Sequence, residues 1–189
     1  CDALVAVGSG TINDICKYAS ALDNKPYLVF PTAASMNGYL SANASITIEG
    51  YKKTVKGQMP AAVFCDMGVI AGAPARLSKS GLGDSMARPT AQADWLVSHL
   101  LLGTPYDETP FALLKDFESN LFDHARGVSK SDPETIKLLM QVLLLSGLGM
   151  TIAGGSYPAS QAEHMIAHAY NMHIAHASGG RITQRTLHG

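Results

Sequence analysis

The chain has 189 residues, 47% of them hydrophobic and 15% charged, with a formal net charge of −1. That composition supports a packed core rather than a disordered chain, and the near-neutral balance argues against nucleic-acid or membrane-surface binding. No apolar run reads as long enough to span a bilayer, since "LLMQVLLLSGLGM" is interrupted by Gly147 and Gly149, and no signal peptide or membrane anchor is evident.

In chain order, "ALVAV" (Ala3 to Val7) reads as a strand covered on both faces, "GSG" as a tight turn and "TINDICKYASALD" as a helix, with Thr11 or Asn13 placed to cap it. "YLVF" is a second buried strand ended by Pro31, "TAASMNGYLSANAS" a loop of small residues, and "SITIEGYKKTVKG" a polar hairpin turning at Glu49-Gly50. "AAVFCD" is a third buried strand. Strands separated by a helix and loops imply an α/β layer. After Asp66 the pattern becomes helical, with Pro89 as a kink or break, and three further helices follow in "PFALLKDFESNLFDHARG", "PETIKLLMQVLLLSG" and "ASQAEHMIAHAYNMHIAHA". The boundary falls near residues 67–73. The resulting division is a partial dinucleotide-binding α/β part over 1–68 and a partial all-helical part over 69–189. Strand and candidate ligand lie so close to the two ends that the sequence reads as an internal piece of a longer chain. Three scattered cysteines, Cys1, Cys16 and Cys65, form neither a disulfide framework nor a CxxC motif, which favours a cytoplasmic location.

Three features carry chemistry. "VGSGTIND" lies between a strand and a helix, where glycines admit a close ligand and a helix N-terminus favours anions. The motif is short, and an ordinary turn explains it equally well. His164 and His168 share a helix face at i, i+4, suited to metal or substrate, though half-buried helix histidines are common. Asp84, in "GLGDSMAR", reads as a helix-start cap or as a buried carboxylate needing a partner. His99 and His124 read as surface positions, and His173 and His176 as solvated.

Taken in order, "VGSGTINDICK", "PTAASMNGYLSANAS", "VFCDMGVIAGAPARLSKSGLGDSMARPTAQADW", "SGLGMTIAGGSYPASQAEHMIAHA" and "LHG" resemble the sn-glycerol-1-phosphate dehydrogenase group of the iron-containing alcohol dehydrogenase and dehydroquinate synthase-like superfamily. The resemblance implies that Gly8, Ser9, Gly10 and Thr11 hold a cofactor pyrophosphate. It implies that Asp14 follows the glycine turn, and that Thr32, Ser35 and Ser41 contact the cofactor. Asp84, His164 and His188 match metal ligands, with His168 and Asn37 at substrate-contacting positions. The family's usual Ser-x-Asp-Gly stands here as Ser35-Met36-Asn37-Gly38, and Asn37 cannot act as a base. An insert, "ASGGRITQRTL", separates the histidine cluster from His188.

The implied reaction is hydride transfer between NAD(P)H and a small phosphorylated polyol, such as the dihydroxyacetone phosphate and sn-glycerol 1-phosphate pair. It would be assisted by Zn²⁺, with Fe²⁺ or Ni²⁺ also compatible with an O/N site. The choice between NAD and NADP is set by a residue on a strand before Cys1. A homo-oligomer is compatible with all of this. Two alternatives stand beside it: a carbocycle-forming lyase resembling dehydroquinate synthase, which would carry a Glu ligand and more Lys and Arg, and a glycerol dehydrogenase-type enzyme.

Overall fold

The computed structural model describes residues 1–49 and 51–177, apart from the side chains of Ala175 and His176. Strands β1 (Leu4–Val7), β2 (Tyr27–Phe30) and β5 (Ala62–Val63) form a parallel sheet in the order β1-β2-β5. Helix α1 (Thr11–Asp23) is the crossover between β1 and β2, as parallel pairing requires. Strands β3 (Asn43–Ile48) and β4 (Tyr51–Lys56) pair as an antiparallel hairpin, with Ile48 opposite Tyr51 and Glu49 at φ 53° in the turn. Past Val63 the described residues hold helices and no strand.

Two strand expectations need correction. β1 begins at Leu4 and is covered on one face only: Ala6 is fully buried, while Val5 and Val7 are exposed. "AAVFCD" yields a two-residue strand, half-buried; Phe64 just past it still donates its N–H to the Val29 carbonyl at 2.8 Å and stacks on Phe30 with ring centroids 4.9 Å apart.

The helices are α2 (Met67–Ala71), α3 (Ala75–Met86), α4 (Arg88–Leu102), α5 (Thr109–Ala112), α6 (Lys115–Asp123), α7 (Arg126–Ser129), α8 (Pro133–Ile152) and α9 (Ala162–Ala177). Pro89 does break the helical run: it sits in the first turn of α4, where a missing N–H costs nothing. The single helix expected over 110–127 is three short ones. α8 corrects the reading of the apolar run. It continues through Gly147 and Gly149 and, by length and composition, is long and apolar enough to cross a membrane. In this fold it is the central core helix, with Ile136, Leu139, Val142 and Leu143 fully buried in one apolar cluster that also holds the sheet residues Ala6 and Val29 and the helical residues Leu114 and Leu121.

Two helix glycines, Gly147 of the apolar run and Gly81 of α3, have a packing reason. A Cβ on Gly81 of α3 would lie 2.2 Å from the Ala34 carbonyl oxygen, and one on Gly147 of α8 would lie 2.5 Å from that of Asn37. The loop over residues 33–41 is therefore gripped between bare stretches of two helices. Thr151 adds to the grip, its hydroxyl donating to the Leu40 carbonyl at 2.8 Å and accepting from the Ala42 N–H at 3.2 Å.

Candidate nucleotide and metal site

A cavity of about 600 Å³ opens between the glycine turn, the gripped loop, the hairpin and α9. Its size suits a small ligand together with part of a cofactor. On one side lie Ser9, Gly10, Thr11 and Asp14. Gly10 is the residue before α1 and has φ 46°, a conformation unfavourable to any side chain, and a Cβ there would meet no atom within 4 Å. The turn is thus open toward the cavity and presents the N-terminal end of α1 to it, which fits a pyrophosphate. Neither Thr11 nor Asn13 caps the helix. Asn13 is buried and donates instead to Asp14 at 3.1 Å.

Asp14 and Lys17 tie this side to the rest. The Asp14 carboxylate accepts from the Ser45 N–H at 3.1 Å, holding the hairpin. Lys17 is fully buried and donates from Nζ to the carbonyls of Gly38 and, at 3.0 Å, of Asn43. Burial lowers its pKa from 10.5 to about 8, partly offset by the nearby Asp14 charge. Ser35 reaches the turn directly, its hydroxyl donating to Ser9 Oγ at 3.2 Å. Ser41 also lines the cavity, and its Oγ accepts from the Asn43 N–H at 3.0 Å. Thr32 and Gly8 do not line it; Gly8 is buried, its N–H donating to the Phe30 carbonyl at 3.0 Å.

On the other side, two ligand candidates meet. Asp84 lies in the last turn of α3, not at a helix start, and is fully buried. One of its oxygens accepts from the Asn37 N–H at 2.8 Å; the other lies 3.0 Å from His164 Nε2, although the two residues are 80 apart in the chain. His164 Nδ1 faces Glu163 Oε1 at 2.8 Å. Burial pushes the His164 imidazole down, but hydrogen bonds and charge from Asp84 and Glu163 outweigh it and hold the pKa above its ordinary value. His168 is half-buried, lines the same cavity, and has its ring centroid 6.2 Å from that of His164. Asn37 also lines it, with its side-chain Nδ2 buried and without a partner. His188 lies outside the described residues, and among those residues no three His, Cys, Asp or Glu groups form a metal set. The pair present is nonetheless one carboxylate oxygen and one imidazole nitrogen side by side, the donor chemistry of zinc and iron sites.

Sequence reasoning missed Lys17, Glu163 and Lys52. Lys52, on β4, is the one Lys or Arg among the described residues lining the cavity. No periodic or motif signal marks it. Glu163 could have been noted from its place before His164. Lys17 could have been noted as a cation on the same helix face as Asn13 and Ser20. His99, His124 and His173 are exposed, as expected.

A family model described as "Iron-containing alcohol dehydrogenase" matches residues 1–74. Solved structures share the fold. A probable glycerol dehydrogenase from Sinorhizobium meliloti 1021 superposes with a TM-score of 0.77 at 22% identity, over 94% of this chain and 52% of that one. A glycerol dehydrogenase from Schizosaccharomyces pombe does so with 0.74 at 22%, over 89% and 44%. The chain resembles curated glycerol-1-phosphate dehydrogenases over its whole length. The glycerol-1-phosphate dehydrogenase [NAD(P)+] of Bacillus velezensis is 37% identical over 188 residues, 100% of this chain and 47% of that protein. Its counterpart in Pyrococcus furiosus is 37% identical over 192 residues, 98% of this chain and 56% of that protein. The chain thus spans about half the length of the curated relatives it matches.

Proposed function

We propose that this chain carries the cofactor turn and metal-binding core of an NAD(P)-dependent dehydrogenase of a small phosphorylated polyol, with sn-glycerol 1-phosphate and dihydroxyacetone phosphate as the substrate pair. One observation carries the reading: Asp84 and His164, far apart in sequence, meet at 3.0 Å, and His164 lines the cavity into which the Ser9-Gly10 turn opens, with the fully buried Asp84 behind it. In this reading residues 1–68 form part of a nucleotide-binding domain and 69–189 part of a helical metal-binding domain of a longer cytoplasmic protein.

Asp84, His164 and His188 would hold a divalent metal, with zinc the first choice. When bound, the metal would supply Lewis-acid chemistry for the substrate carbonyl, and the nicotinamide cofactor would supply the hydride chemistry. The chain's own residues bind and orient. The turn at Gly8 to Thr11, with Ser35 and Ser41, would hold the cofactor. Asn37 Nδ2, buried and unpartnered, offers a hydrogen bond to a substrate oxygen. His168 and Lys52 bring positive charge or N–H donors toward the phosphate. A single lysine among the described lining residues favours this reading over a lyase resembling dehydroquinate synthase, whose larger anionic substrate calls for more cations.

The test is metal analysis and steady-state kinetics on the full-length protein, with NADH and NADPH against dihydroxyacetone phosphate. His164→Ala should lose metal and activity together. His168→Ala should keep metal and lose kcat/KM by about ten- to a hundredfold, the loss of a hydrogen bond to a charged phosphate worth about 1.5–3 kcal/mol. Equal loss of metal in both would make His168 a ligand. A wild-type protein without metal or dihydroxyacetone phosphate reduction would sink the assignment.

A further inference from the structure

Glu163 is adjacent to His164 in sequence, and neighbours on a helix do not normally face each other. Here they do, because Glu163 lies in the first turn of α9 and folds back. Its Oε1 accepts from the Gln161 N–H at 2.9 Å and sits 2.8 Å from His164 Nδ1. Its other oxygen is buried with no hydrogen-bond partner. Burying a carboxylate with one oxygen unpaired costs free energy, so a helix-start role alone explains it poorly. The start of α9 already has a second anchor, the Ala162 N–H donating to Asp94 at 3.3 Å.

The two ring nitrogens of His164 are divided between two carboxylates. Nδ1 faces Glu163; Nε2 faces Asp84 at 3.0 Å. Glu163 is therefore on the opposite edge of the imidazole from the cavity and from Asp84, so it cannot share an ion held at Nε2. What it can do is accept a hydrogen bond from the Nδ1–H, which keeps the proton on Nδ1, leaves the Nε2 lone pair as the donor and fixes the plane of the ring.

We propose that Glu163 is a positioning residue: it fixes the tautomer and orientation of His164 so that Nε2 is the donor atom presented beside Asp84. This rests on the metal reading above. The experiment is competition between a chromophoric zinc chelator and the metal-free full-length protein, with circular dichroism to compare folding. Glu163→Ala should weaken zinc binding by about a hundredfold, and Glu163→Gln, which keeps an acceptor but not the charge, by about tenfold. Cobalt(II) substituted for zinc should show altered visible absorption bands in Glu163→Ala, a change that loss of a helix anchor would not produce. Wild-type zinc affinity and an unchanged cobalt spectrum in either folded variant would overturn the role of Glu163 and leave the metal site standing. Absence of zinc binding by the wild-type protein would instead remove the metal site, and this inference with it.

Discussion

Helices α1 and α8 bury opposite kinds of side chain. α8 buries Ile136, Leu139, Val142 and Leu143 in the manner of an ordinary core helix. α1 buries Asn13, Lys17 and Ser20, and leaves Ile12, Ile15 and Leu22 exposed. Yet both helices act on the same loop. Lys17 holds the Gly38 and Asn43 carbonyls by hydrogen bonds, and Gly147 meets the Asn37 carbonyl by the lack of a side chain. One side grips by charge and the other by shape, and the loop between them presents the Asn37 N–H to Asp84. The comparison teaches that the inward face of a helix beside a binding site is chosen by the backbone it must hold, not by hydrophobicity.

The charged grip should respond to pH. Lys17 has a folded-state pKa of about 8 against an ordinary 10.5. Between these values the unfolded chain holds more protons than the folded one, so stability rises with pH. Lys17→Met has no such proton. The stability of the wild-type protein minus that of Lys17→Met should therefore be flat below pH 8 and rise by about 3 kcal/mol by pH 10.5. Urea unfolding of both proteins across that range measures it, and the other lysines cancel in the difference. A flat difference would show that α1 does not bury its ammonium, and the contrast with α8 would fail.

The shape grip should respond to a single methyl group. Gly147→Ala gains up to about 1 kcal/mol of helix propensity. Against that, the new Cβ would sit 2.5 Å from the Asn37 carbonyl oxygen, which is backbone and cannot turn aside. A net destabilisation of about 2 kcal/mol is expected. Gly149 on the same helix sharpens the point. Its nearest neighbour would be the Pro110 side chain at 3.0 Å, so Gly149→Ala should be markedly milder. Equal effects in thermal unfolding would mean that the loop is not pressed against α8.

The same contrast explains what was legible in the sequence. The strands, the glycine turn, the hairpin at Glu49 and the helical run after Asp66 follow from local patterns, and the structure places them close to where those patterns do. Asp84 beside His164 does not follow from any local pattern, since each alone has an ordinary structural explanation. Only the resemblance joined them. The coverage of β1 was misjudged because a continuous apolar run says nothing about which face meets a neighbour. α8 was cut short because Gly147 and Gly149 look like helix breakers until the backbone they admit is known. Lys17 was passed over because a lysine on a helix is ordinarily solvated. His188, the third ligand that the resemblance implies, lies outside the described residues.

The cofactor side can be separated from the metal side by Gly10→Val. A β-branched residue is strained at φ 46° and would fill the space before α1. Dinucleotide affinity should fall by tenfold or more, read by NADH fluorescence, while metal content stays near that of the wild-type protein because Asp84 and His164 stand on α3 and α9, apart from the turn before α1. Loss of both together would indicate unfolding, and unchanged affinity would remove the turn from the site.

The smallest expected effect belongs to Lys52. It extends from β4 to the cavity wall, where its Nζ donates to the Ser45 carbonyl at 3.2 Å, and Ser45 is itself held by Asp14. Its side chain is exposed, so its charge acts through solvent and is worth no more than about 1 kcal/mol. Lys52→Ala should raise KM for a phosphorylated substrate about fivefold at low salt and leave metal content unchanged. The penalty should shrink as ionic strength rises and the screening length falls below about 10 Å. Glycerol, which lacks the phosphate, should show no such dependence. An equal KM change for glycerol and the phosphorylated substrate would mean that Lys52 braces the hairpin against Ser45 and does not read charge.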